Sequence, residues 1–190
     1  MAARVLAFAG SLRRDSFNKK LVKIAARGAR AAGAEVTEID LKELPLPVYD
    51  GDLEAADGLP ANAKQLKELF LSHQGLLIAA PEYNSSISAA LKNVIDWVSR
   101  PAPNEAPLAC FTGKVVSLMS ASPGGFGGLR GLVTVRSILG NIQCIVLPEQ
   151  VSVAKSHEAF DAEGKLKDPK QTAQVEKLGA NVAGMLAKIL

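Results

Sequence analysis

The 190-residue chain has only two cysteines, Cys110 and Cys144, far apart and without C-x-x-C spacing. That argues against a disulfide framework or a redox pair and for buried or unpaired thiols. It has only two histidines, His73 and His157, neither with a Cys, His or acidic partner at metal-ligand spacing. Both read as structural, and no metal site is expected. Lys and Arg total 22 against 19 Asp and Glu, a net charge of +3 with no basic tract. A nucleic-acid partner is therefore not expected. No apolar run is long enough to span a bilayer, and the Met-Ala-Ala-Arg start leads into a strand without a signal-peptide apolar region. The expectation is a soluble, cytoplasmic protein with no membrane partner.

Three phosphate and nucleophile signatures are also missing. No Gly-Lys-Ser/Thr ends the first glycine loop, so it is not a P-loop. Only one glycine stands where the dinucleotide fingerprint needs three, and no G-x-S-x-G nucleophile elbow occurs. What stands there is RVLAFAGSLRRDSFNK at 4–19: an apolar run, Gly10, Ser11, two arginines, then Ser16 and Asn18 before an amphipathic segment. Strand, polar loop and helix N-terminus together offer backbone N–H groups, hydroxyls and a guanidinium to an anion. Arg13 can add a bidentate contact to a phosphate. An ordinary strand–helix turn with a Ser/Asp cap is the alternative.

The length, with 48% hydrophobic residues, suits one domain over 1–190. Spacing predicts a helix over 18–32, a strand over 35–41, a Pro/Asp/Gly-rich loop over 43–60 and a helix over 62–72. The loop is long enough to suggest function or a mobile lid. GLLIAA at 75–80 reads as a strand buried on both faces. A helix over 87–99, a Pro-rich loop over 101–107, a strand over 114–120, a helix over 129–139 and a strand over 143–147 follow. A polar connector over 149–168 leads to a terminal helix facing inward with Val175, Leu178, Val182, Met185, Leu186 and Ile189. Strand then helix, repeated, gives parallel strands and right-handed crossovers. The expected fold is α/β: a three-layer, doubly wound, five-stranded parallel sheet, flavodoxin-like, in the order 2-1-3-4-5. Ligands in such a sheet bind at the carboxyl ends of strands 1 and 3, where the order reverses. The unusual loops after strands 1, 3 and 4 would meet there. They pair a phosphate pocket with a planar slot, and FMN is the natural candidate.

Four stretches in order, GSLRRDSFN at 10–18, PEYN at 81–84, LKNVIDW at 91–97 and SASPGGFGG at 120–128, resemble the NADPH-dependent FMN reductases, a group that includes bacterial chromate and quinone reductases. The resemblance implies that Ser11, Arg13, Ser16 and Asn18 bind the FMN phosphate. It implies that Pro81, Glu82, Tyr83 and Asn84, with the Ser120 loop, hold the isoalloxazine, Tyr83 shaping the ring pocket. Phe17, Ser85 and Gly124 are placed with them as cofactor-binding residues. Two positions depart from the family pattern: Ser85 where glycine is frequent, and Ser88 where proline is frequent. The implied activity is an NAD(P)H-dependent FMN or quinone reductase. NADPH or NADH gives hydride to flavin N5, and a quinone, chromate, azo compound or free flavin then takes its place. No protein acid or base is required, so no catalytic residue is expected. The resemblance also implies a homodimer or homotetramer. Trp97 and Val98 widen the apolar face of helix 87–99, and Arg100 is a candidate for reaching the partner. A flavodoxin-like electron carrier is the alternative, although carriers tend to be acidic and this chain has a pI near 8.9.

Overall fold

Strict period-2 burial sorts the central strands between two cores. In the computed structural model, which describes residues 2–190, β1 (Arg4–Ala9) sends Val5, Ala7 and Ala9 to one face and Leu6 and Phe8 to the other. β3 (Gly75–Ala79) does the same with Leu77 and Ala79 against Leu76 and Ile78. Both strands are parallel-paired neighbours, which is why their sequence is continuously apolar.

The first face is covered by α1 (Phe17–Ala31) and α7 (Pro169–Ile189). The two helices meet backbone to backbone. A Cβ on Gly28 would lie 1.9 Å from the Glu176 carbonyl oxygen, and one on Gly179 would lie 1.9 Å from that of Ala25. The second face is covered by α3 (Ala61–Ser72), α4 (Ala89–Val98) and α5 (Leu129–Asn141). With β2 (Glu35–Ile39), β6 (Val115–Ala121) and β7 (Ile145–Val153), the sheet runs β2-β1-β3-β6-β7, all parallel. β4 (Glu82–Tyr83) and β5 (Ser86–Ile87) form a separate two-stranded hairpin. Counting the sheet strands alone, the order is the expected one.

Several local expectations change. The 43–60 segment contains α2 (Gly51–Asp57), capped by the Asp50 carboxylate on Asp52 N and ended by Gly58 at φ 72°. It is strapped down rather than free. Asn93 accepts from Tyr49 N and donates to the Pro47 carbonyl, both at 2.8 Å, and Trp97 Nε1 donates to that carbonyl too. β7 runs to Val153, well past the expected 147, and the connector behind it carries α6 (Ser156–Ala159). Pro148 reads as a strand end, but the register shifts opposite Val116–Leu118. An edge strand accommodates proline in such a bulge, and Arg136 holds it through the Val146 and Pro148 carbonyls and Gln150.

Trp97 and Val98 are buried in the core, so they do not widen an outer face. Arg100 is half-buried, with its guanidinium 5.4 Å from the Tyr49 ring centre, and it does not reach outward. Cys110 and Cys144 are free thiols, and burial pushes Cys144 up to about 12. His73 is buried, its Nδ1 2.6 Å from the Leu69 carbonyl and its Nε2 2.7 Å from Thr37 Oγ1.

Candidate functional site

The carboxyl ends of β1, β3 and β6 lie side by side, and three loops leave them. The first begins at Gly10, whose N–H continues the ladder to Ala79 O at 2.9 Å. A Cβ there would lie 2.7 Å from Leu91 Cβ, so only glycine lets the loop lie against α4. Ser88 ties the same junction. Its hydroxyl donates to the Gly10 carbonyl at 2.5 Å and accepts from Leu91 N at 3.2 Å, capping α4. The serine that replaces the family's proline therefore serves the fold.

Ser16 precedes α1 without capping it, and the first turn carries no acid. The first amides of a 15-residue helix are left for something else. Ser11 and Ser16 are buried at this point. Arg13 is exposed, and among the described residues it has no carboxylate partner within ion-pair distance. The alternative of a self-capped turn thus fails. Asn18 lines the crevice, but its side-chain amide is engaged within the fold. Its Nδ2 donates to Ala121 O at 2.8 Å, and its Oδ1 accepts from Ala121 N at 3.0 Å. It braces the end of β6 against α1.

The second loop is joined to the third by Ser120, whose hydroxyl donates to the Ala80 carbonyl at 2.7 Å. Ser120 is fully buried behind the crevice rather than lining it. The Glu82 carboxylate accepts from the backbone N–H groups of Arg130 and Gly131 at 3.0 and 3.2 Å and pairs with the Arg130 guanidinium. Its side chain caps α5, which has Gly128 and no side-chain cap of its own. Burial alone would raise the Glu82 carboxyl, but Arg130 and the two amides outweigh it and hold it below the usual carboxylate value.

Tyr83 stands out, 54% exposed. Asn84 and Ser85 turn the hairpin with φ of 51° and 65°. That two-residue turn favours Asn-Gly, and Ser85 holds the glycine position under strain. Ser85→Gly should raise stability by about 1 kcal/mol, a gain of about 2–4 °C in Tm. A thermal melt checks this, and an unchanged or lower Tm would show that the turn is not strained.

The crevice is lined by Ser11, Arg13, Ser16, Phe17, Asn18, Pro81, Glu82, Tyr83, Ala121, Ser122 and Pro123 around a cavity of about 70 Å³. Ala121 to Pro123 belong to the loop expected here, in which only Ser120 and Gly124 were singled out as site residues. They enter because β6 runs through Ala121 before the loop begins. Gly124 lies outside the lining, and its carbonyl holds Gly127 N and Lys155 N. Asn84 and Ser85 are likewise not in the lining. Phe17 is stacked on Phe160 from the connector, ring centres 5.4 Å apart. Two larger cavities, about 500 Å³ beside α3 and about 670 Å³ near Gly33, lie away from these strand ends, whereas a third of about 490 Å³ adjoins the first loop at the ends of β1 and β2, with Ala9, Arg14, Ser16 and Asp40 in its lining. The crevice space is small and half open, with two serine hydroxyls and a guanidinium on one side and the exposed Tyr83 ring on the other.

Residues 3–158 match the family model described as NADPH-dependent FMN reductase. The chain is 35% identical over 173 residues to a probable NADPH:quinone oxidoreductase of Oryza sativa subsp. japonica, covering 88% of this chain and 81% of that one. It is 34% identical over 175 residues to an NAD(P)H-dependent FMN reductase of Pseudomonas aeruginosa, covering 92% and 90%. Among solved structures it superposes on the flavoenzyme NAD(P)H:(acceptor) oxidoreductase FerB of Paracoccus denitrificans with a TM-score of 0.78, 27% identity and 98% of both chains covered. With its sheet order, its three converging loops and these matches, the chain belongs to the NADPH-dependent FMN reductase family.

Proposed function

We propose that this protein is an FMN-dependent NAD(P)H oxidoreductase of the quinone-reductase type, working by a ping-pong order. Quinones are its main acceptor class, and chromate, azo compounds and free flavin are further ones. The observation that carries the reading is the uncapped N-terminus of α1, with Ser11, Ser16 and unpaired Arg13 around it, opening at the strand ends where the sheet order reverses. These residues fit a phosphomonoester, so Ser11, Ser16, Arg13 and the first-turn amides would hold the FMN phosphate. The backbone from Pro81 to Ser85 and from Ser122 to Gly124 would border the ring, with Tyr83 at its edge. When bound, the flavin supplies two-electron hydride chemistry between nicotinamide and acceptor. The protein's part is to position: Asn18 and Ser120 hold the three loops together, and Glu82 anchors the ring-side hairpin to α5.

Donor and acceptor would use the same open side in turn, which predicts parallel initial-rate plots. The purified protein should be yellow, release FMN on denaturation, and oxidise NADPH or NADH when a quinone is present. Release of FAD, or of no flavin, would sink the FMN assignment. Flavin that neither nicotinamide reduces would favour the electron carrier. We also propose a homodimer or homotetramer, supported now by Leu129 and Val133 on the outer face of α5 rather than by Trp97 and Arg100. Light scattering on the same preparation should give a mass well above 19.9 kDa, and a concentration-independent monomer would refute it.

A further inference from the structure

The turn after β6 carries an aromatic ring that the core does not use. Gly127 N donates to the Gly124 carbonyl at 3.3 Å, closing a tight turn with Phe126 near its tip, 64% exposed. A single exposed apolar residue needs no explanation, but this one is held. The Arg130 guanidinium lies 5.2 Å from the Phe126 ring centre, a cation–π contact. Arg130 is itself fixed by Glu82, whose Oε1 lies 2.5 Å from its Nη2 and 2.8 Å from its Nε. Glu82 belongs to the hairpin that lines the crevice, and its neighbour Tyr83 is the other exposed ring. A charge-assisted chain thus ties the Phe126 turn to the hairpin of Glu82 and Tyr83.

The glycines around Phe126 divide into two kinds. Gly127 and Gly128 have positive φ, and a Cβ on either would strike the Val153–Ala154 backbone or Ser120. They are required where they are. Gly124 and Gly125 have ordinary φ and no close neighbour, so neither space nor conformation calls for glycine there. What they add is backbone freedom on one leg of the turn.

We propose that Phe126 is a specificity-determining residue for planar conjugated acceptors: the Glu82–Arg130 pair tethers its exposed ring, outside the crevice lining, to the hairpin that lines the crevice, and a quinone entering over that hairpin packs against it. This rests on the reading of the chain as an FMN-dependent reductase. A compact inorganic acceptor has no flat face to offer the ring and gains nothing from it.

The test compares wild type, Phe126→Ala and Phe126→Trp as FMN-loaded proteins. In Phe126→Ala the KM for 1,4-naphthoquinone should rise by about 10-fold with kcat retained, the scale of one aromatic contact. Ferricyanide turnover, FMN content and the rate of flavin bleaching by NADPH should stay within about 2-fold, a margin small against one aromatic contact. Calorimetric titration of naphthoquinone into the oxidised protein, with no nicotinamide present, should show the same loss of affinity. Phe126→Trp should restore both readouts. An unchanged naphthoquinone KM in Phe126→Ala would overturn the proposal. So would equal losses with quinone and ferricyanide, which would mark the ring as a general structural or assembly contact. A wild type that holds no flavin would sink the reductase reading and this proposal together, whereas an active yellow enzyme indifferent to residue 126 would sink the proposal alone.

Discussion

Arg13→Ala should weaken FMN binding by about 10- to 150-fold and leave riboflavin binding almost unchanged. The range follows from one charge-assisted hydrogen bond, roughly 1.5–3 kcal/mol, converted to affinity. Arg13 is suited to the task because it is exposed beside the uncapped turn of α1. Among the described residues no carboxylate within ion-pair distance competes for it, whereas Lys20 is paired with Asp15 at 2.6 Å. Among the described residues its exposed side chain makes no hydrogen bond or ion pair, so the melting temperature should hold. Fluorescence titration of the apoprotein with each flavin gives the comparison. Equal losses for FMN and riboflavin would show that Arg13 touches the ring side or the fold, not the phosphate.

A second large effect is expected far from the site. Gly179→Ala should cost about 3 kcal/mol or more, because the new Cβ would meet the Ala25 carbonyl oxygen at 1.9 Å and neither helix backbone can fold aside. For a chain of this size that lowers Tm by about 6–12 °C. Gly28 presses on Glu176 in the same way, so the α1–α7 contact rests on both glycines. Gly184 on the same helix is the control. It is exposed and has nothing within 4 Å of a Cβ, so Gly184→Ala should stabilise by up to about 1 kcal/mol. Calorimetric melts decide the matter. A Gly179→Ala protein that melts like wild type would show that the two helices can separate without cost. Since α1 also presents the turn proposed to hold the FMN phosphate, a milder displacement should appear first as weakened FMN affinity.

Strand and helix identities, their parallel arrangement and the three loops at one end were legible because burial periodicity and turn residues are local properties of the chain. GLLIAA at 75–80 could only be a strand covered on both faces, and it pairs with β1 and β6 as expected. The loop after β1 carries the hydroxyls and guanidinium from which an anion site is proposed, and these are local residues too. What the sequence left undetermined depends on partners that only folding brings near. Asn18 carries a phosphate-site pattern, but its amide is spent on Ala121, 103 positions away. Glu82 reads as a free carboxylate beside the ring, but it caps a helix that starts 47 positions later. Trp97 reads as surplus apolar face until the 44–50 segment, itself read as open loop, is laid over it. A side chain's type and spacing set what it can bond. Whether that capacity is spent inside the fold or left for a ligand is decided by long-range packing, which left the Arg13 guanidinium exposed, tied the polar ends of Asn18 and Glu82 at the crevice wall to backbone groups of other elements, and buried Ser120 behind it.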